Sequence, residues 1–157
     1  MEAVTIVTAS SPEQFAQARR LFEDYQRWLG IDLSFQDFSG ELDAIARMYG
    51  PPAGALLLAS QGRAYVGCVA LRPLEGSVAE MKRMFVPEAF RGRGIGRALA
   101  QASVSVARDL GYSALRLDTI PRLGAALALY KALGFVEIAA YRHNPVPDAI
   151  FLELRLR

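Results

Sequence analysis

Six residues, Arg91-Gly92-Arg93-Gly94-Ile95-Gly96, lie between an extended run ending near Val86 and a helical run starting near Arg97, and they constrain the fold more than any other stretch. Three glycines in five positions leave backbone N–H groups unshielded and permit positive φ, so several amides can turn toward one ligand. The helix after them adds its unpaired first-turn N–H groups and the positive end of its dipole. Arg91, Arg93 and Arg97 crowd cations onto that helix start, where each is unfavourable by roughly 0.3 to 1 kcal/mol. A bound phosphate reverses that sign. A bare G-x-G-x-G is also a plain strand-to-helix connection, so the surroundings decide.

Spacing excludes two other phosphate loops. The dinucleotide fingerprint needs a third glycine three residues after the second, where this chain has Arg97 or Leu99, and the nucleotide P-loop needs Gly-Lys-Ser/Thr, which is absent. Met84-Phe85-Val86-Pro87, then Phe90 through Leu99, then Leu129-Tyr130-Lys131-Ala132-Leu133-Gly134-Phe135 resemble the GCN5-related N-acetyltransferase (GNAT) superfamily, over roughly residues 55 to 140. The resemblance implies that the loop holds the pyrophosphate of acetyl-CoA. The cofactor-binding positions it marks are Arg91, Gly92, Arg93, Gly94, Ile95, Gly96 and Arg97, with main-chain groups of Phe85 and Val86 on the pantetheine arm or the thioester carbonyl. It also implies that the strand at 80–86 splays from its parallel neighbour.

A chain of 157 residues with 52% hydrophobic residues fits one α/β (α+β) domain over 1–157 with a continuous core. Eighteen Lys and Arg against 16 acids are scattered apart from the cluster at residue 91, which argues against nucleic acid as a partner. The one cysteine, Cys68, sits among Val66, Gly67 and Val69 and reads as a small core residue, in keeping with a reducing cytoplasm. Glu2 stands where a signal peptide needs a basic region, and no apolar run reaches spanning length, so a soluble cytoplasmic protein without a membrane partner is expected.

Along the chain, Val4 and Ile6 mark an opening strand, and Ser11-Pro12-Glu13 starts a helix that Gly30 stops. Residues 31 to 37 read as loop, and a second helix is expected from about Phe38 to Met48. Ala55–Ser60, Ala64–Leu71 and Val78–Val86 read as an antiparallel meander. A helix carrying Leu99, Ala102, Val106 and Leu110 leads to a strand at Ala114–Thr119. A helix from Pro121 to Leu133 and strands at Phe135–Ala140 and Ala149–Leu156 complete the chain. Strand, helix, strand at 78–119 is a βαβ unit, so that pair is parallel and the sheet of about seven strands is mixed, mostly antiparallel, with helices on both faces. A ligand belongs beyond the carboxyl ends of the parallel strands, marked by Val86 and Thr119.

Acyl transfer to an amine needs a base for an ammonium of pKa near 10.4, an acid for a thiolate of intrinsic pKa near 8.5, and donors for the oxyanion. No metal is required. Glu80, eleven residues before Arg91, is the candidate base by the resemblance, with Asp118, His143 or a water relay as alternatives; a strand glutamate paired with Lys82 on the same face is the plain reading. Tyr130, four residues before Gly134, is by the resemblance the candidate acid, against a core aromatic sharing a face with Leu123 and Leu127. Where many relatives place an asparagine seven residues before that tyrosine, this chain has Leu123.

The resemblance implies an acceptor pocket walled by about residues 25 to 40 and 141 to 148. Asp32, Asp37, Glu41 and Asp43 could attract an amine, and Arg72, Arg83 and Arg142 could hold a carboxylate; Trp28, Phe35 and Phe38 read as core or pocket wall. The expected function is an acetyl-CoA-dependent N-acetyltransferase acting by direct attack on a small-molecule or peptide amine, a homodimer being compatible with the sequence. A non-catalytic acyl-CoA-binding sensor on the same scaffold is the alternative.

Overall fold

The computed structural model describes residues 3–32 and 37–156, which leaves Phe35, most of the expected 31–37 loop, and Glu2 outside the described residues. The ordered elements are β1 (Val4–Thr8), α1 (Pro12–Leu29), α2 (Phe38–Asp43), α3 (Ile45–Met48), β2 (Ala55–Gln61), β3 (Ala64–Glu75), β4 (Val78–Phe85), α4 (Ile95–Asp109), β5 (Ala114–Thr119), α5 (Gly124–Ala132), β6 (Val136–Ile138) and β7 (Ile150–Arg155). The seven strands form one sheet in the order β1-β2-β3-β4-β5-β7-β6, antiparallel throughout except for β4 and β5.

Local chemistry explains the element ends. Ser11 Oγ accepts the Gln14 N–H at 3.1 Å, Gln14 Oε1 accepts the Ser11 N–H at 3.2 Å, and Pro12 comes next, so α1 opens on a reciprocal cap. Gly30, at φ 70°, closes it in the left-handed conformation. The single helix expected over Phe38–Met48 is broken at Ala44, whose φ of −117° leaves the helical range and divides it into α2 and α3. The expected Pro121 helix is likewise a 3₁₀ turn at Pro121–Leu123 followed by α5.

The sheet is covered on both faces, which is why β2 reads as an unbroken apolar run. Leu57 and Ala59 face one core with Leu99, Val104 and Leu115, whereas Leu56 and Leu58 face the other with Phe22, Phe38 and Tyr49. Cys68 lies in the second core, fully buried, and burial pushes its thiol well above the ordinary range. It is a packing residue.

Two irregularities set β4 apart from its neighbours. Ala70 pairs with Lys82 and Cys68 with Phe85, so β4 carries one extra residue there, and Arg83 within it takes φ 60°. In addition, β4 pairs β5 only at Val78, Ala79 and Glu80 against Ala114, Leu115 and Arg116. Beyond Glu80 the two parallel strands part, as the resemblance implied.

Candidate active site

The parted strands line a cavity of about 80 Å³, walled by Met81–Met84 of β4, Leu117–Thr119 of β5, Tyr25 of α1, Tyr130 of α5, and Asn144 and Val146 of the last loop. A larger groove of about 370 Å³ runs past it, lined by Trp28, Met84, Phe85, Val86, Phe90, Arg91, Gly92, Gly94, Ile95, Gly96 and residues 122–126. Tyr25, Met84, Leu123 and Ala126 belong to both walls, so chamber and groove adjoin.

The groove ends on the glycine loop. Gly92 and Gly94 adopt φ 80° and 79°, and a Cβ at either would meet nothing within 4 Å. Gly94 caps α4 without any side-chain hydrogen bond, and the first bond closing the helix is Ala98 N–H to Gly94 C=O at 3.0 Å. The amides of Ile95, Gly96 and Arg97 are therefore available to a ligand.

The three arginines are arranged unequally. Arg91 donates from Nε to the Val86 carbonyl at 2.8 Å and lays its guanidinium 4.3 Å from the centre of the Trp28 ring. Arg93 and Arg97 are exposed and outside the groove wall, with Arg93 over the Phe90 ring. Among the described residues no carboxylate pairs with any of the three. Arg122 also lines the groove and donates to the Leu29 carbonyl; no sequence motif marked it.

The two expected catalytic residues are not brought together. Tyr130 lines the chamber; its ring packs 5.7 Å from Phe135, and its hydroxyl has no hydrogen-bond partner among the described residues. Burial, and then Tyr25, raise its pKa above the ordinary phenol value, so it stays protonated. Core aromatic and chamber wall are thus the same residue.

Glu80 is fully buried and lines neither cavity. Its oxygens accept from Arg72 Nε at 3.0 Å, from the Tyr141 hydroxyl at 2.8 Å and from Arg142. Lys82, its expected same-face partner, is not among them. Glu80, the candidate base, is thus held by two guanidiniums and a phenol outside both cavity walls. Asp118 is the carboxylate on the chamber wall, and Asn144 Nδ2 donates to its Oδ2 at 3.2 Å. His143 is exposed and lines neither cavity.

Most of the charges expected at the acceptor are also committed. Glu41 and Arg83 form a buried pair at 2.6 Å, Asp43 pairs with Arg19 at 3.5 Å, and Arg72 and Arg142 serve Glu80. Phe38 is buried beneath the Arg83 guanidinium. Asp37 is exposed, at the start of α2.

Lys82, which the sequence offered only as a same-face partner for Glu80, is a further functional candidate. It is only 7% exposed and lines the chamber. Burial, and then Arg83, bring its ammonium down to about 8, against the opposing pull of Glu41 and Asp118. Thr119 Oγ1, also on the chamber wall, is buried without a hydrogen-bond partner among the described residues.

Residues 15–135 match the model of the acetyltransferase (GNAT) family. The chain belongs to that family. An uncharacterized N-acetyltransferase of Schizosaccharomyces pombe is 36% identical over 156 residues, covering 98% of this chain and 95% of the relative. An IAA acetyltransferase of Azospirillum brasilense is 36% identical over 155 residues, covering 98% of each chain. The solved structure of yncA from Salmonella typhimurium, which contains its cofactor acetyl-CoA, superposes with a TM-score of 0.70 over 99% of this chain and 95% of that one. At 19% identity that likeness is one of fold. By its family the chain is an acyltransferase, and no helix among the described residues is long and apolar enough to cross a membrane.

Proposed function

We propose that the protein transfers the acetyl group of acetyl-CoA to a primary amine by direct attack in a ternary complex. The observation that carries this reading is that groove and chamber adjoin where β4 and β5 part. The groove is large enough for an extended carrier and ends on free helix amides, while the small chamber beside it suits the group that accepts. The acetyl-CoA of the yncA structure supports the identity of the carrier.

Acetyl-CoA supplies an acyl carbon activated as a thioester. On the chamber wall, Asp118 receives the proton that the acceptor's ammonium must lose, a loss costing roughly 4 to 5 kcal/mol at neutral pH for a free alkylamine. The amine nitrogen then forms the C–N bond, and the backbone N–H groups of β4 beyond Glu80 stabilise the oxyanion. As the C–S bond breaks, the nitrogen loses its second proton to solvent, and Tyr130 gives its proton to the departing sulfur and regains one from solvent.

Free-thiol release from acetyl-CoA across a panel of amines, amino acids and peptides tests the proposal directly. Turnover with at least one amine is expected, and release with none would leave a non-catalytic acyl-CoA-binding module. Tyr130→Phe should lower kcat by about 100-fold with little change in acetyl-CoA affinity, the usual scale for losing a positioned acid. An equal rate would return Tyr130 to packing alone.

A further inference from the structure

Resting on the acyl-transfer reading, we propose that the acceptor is a small amino carboxylate, its carboxylate held by the Lys82 ammonium and the Thr119 hydroxyl while its amine faces Asp118. Lys82, Arg83 and Asp118 are the charged side chains that line the chamber. Glu41 is taken by Arg83, and Glu80 by Arg72 and Arg142. That leaves Lys82 of β4 and Asp118 of β5 lining the chamber with no ion pair between them, and neither has another ionic partner among the described residues.

A buried ammonium without a partner is costly, and so is a buried hydroxyl with its lone pairs and proton unused. Lys82 and Thr119 incur both costs on the same small chamber. A ligand carrying an anion relieves them together. Two opposite charges that line one chamber without pairing match the two ends of a zwitterion, whose carboxylate reaches the lysine and whose ammonium reaches the aspartate. The chamber volume of about 80 Å³ favours a free amino acid over a protein side chain with its backbone.

The test compares glycine and L-alanine with glycinamide and L-alaninamide as acceptors in the thiol-release assay. The carboxylates are expected to be preferred by at least about 30-fold in kcat/KM, the scale of one charge-assisted contact. Lys82→Met should reduce that preference to about threefold by raising KM for the carboxylates, and Lys82→Arg should retain most of it. Lys82→Met should also melt no lower than the wild type, because it removes an unpaired buried cation. Amides used as well as acids, or a Lys82→Met variant that impairs both alike, would overturn the proposal. Calorimetric titration of the same compounds into the CoA-saturated protein separates the two readings. Lys82-dependent binding of glycine or L-alanine without thiol release sinks acyl transfer and upholds the carboxylate site. Release without preference sinks the carboxylate site and upholds acyl transfer. Binding of neither class sinks the carboxylate site.

Discussion

Gly94→Asp is expected to weaken acetyl-CoA binding by at least about 100-fold, or roughly 2.7 kcal/mol, with the fold retained. Gly94 is the residue from which α4 starts, and its φ of 79° is one that aspartate tolerates better than most side chains. A Cβ there meets nothing within 4 Å, so the loss is not steric. The new carboxylate instead sets a negative charge beside the first-turn amides of α4, where the proposed reading puts the pyrophosphate. It also repels that group: like charges about 4 Å apart at an effective dielectric near 20 oppose each other by about 4 kcal/mol. Gly94→Ala supplies the control, with backbone strain of roughly 1 to 2 kcal/mol and no charge. Calorimetry with acetyl-CoA should show a small loss for alanine and a large one for aspartate at similar melting temperatures. Equal affinities for the wild type and the aspartate variant would remove the anion cradle from the site.

That loop was legible because its signal is local: glycines at two-residue spacing, a helix after them and a strand before. The two cores were legible for the same reason, since β2 and α1 carry their periodicities in consecutive residues. The polar interior was not. Alternation places Glu80 and Lys82 on one face of β4, and on a half-exposed strand they would pair in solvent. Here that face is covered, and the partners that decide each residue's role come from far along the chain. Arg142 reaches Glu80 across 62 positions, and Arg83 reaches Glu41 across 42. Nothing in the residues before or after announces either meeting. The bulge at Arg83 is equally silent, because the left-handed residue is an arginine and not a glycine.

Glu41→Gln is expected to destabilise the protein by roughly 3 to 5 kcal/mol at neutral pH, the range for stripping one partner from a buried ion pair. Glu41 Oε1 accepts from Arg83 Nη2 at 2.6 Å, and its Oε2 accepts from Arg83 Nε at 2.9 Å and from the Tyr49 hydroxyl at 2.8 Å. Glutamine keeps the shape but turns one acceptor into a donor facing a guanidinium, and leaves that cation buried and unpaired. At about 2 to 4 °C per kcal/mol for a chain of this size, the melting temperature should fall by about 10 °C. Burial alone would raise the Glu41 carboxyl, but the Arg83 fork and its charge outweigh burial and hold it below the usual range. The pair's contribution is therefore fully present above the unfolded carboxylate pKa, near 4.3, and is lost as pH falls through the lower folded value. Melts of both proteins should differ fully between pH 6 and 8, and converge in strong acid. A variant melting within about 2 °C of the wild type at neutral pH would show that the pair is not a clamp. Because Arg83 is the left-handed residue of the β4 bulge, the same substitution should also slow acetyl transfer by loosening the strand that faces the chamber.

The contact between Arg91 and Trp28 has a practical consequence. The chain contains one tryptophan, and it is 41% exposed at the end of α1 with a guanidinium across its face. A pyrophosphate that draws Arg91 toward the glycine loop uncovers the indole. The molecule thus carries its own optical gauge, a single indole whose emission is expected to change as the groove fills, without any dye attached.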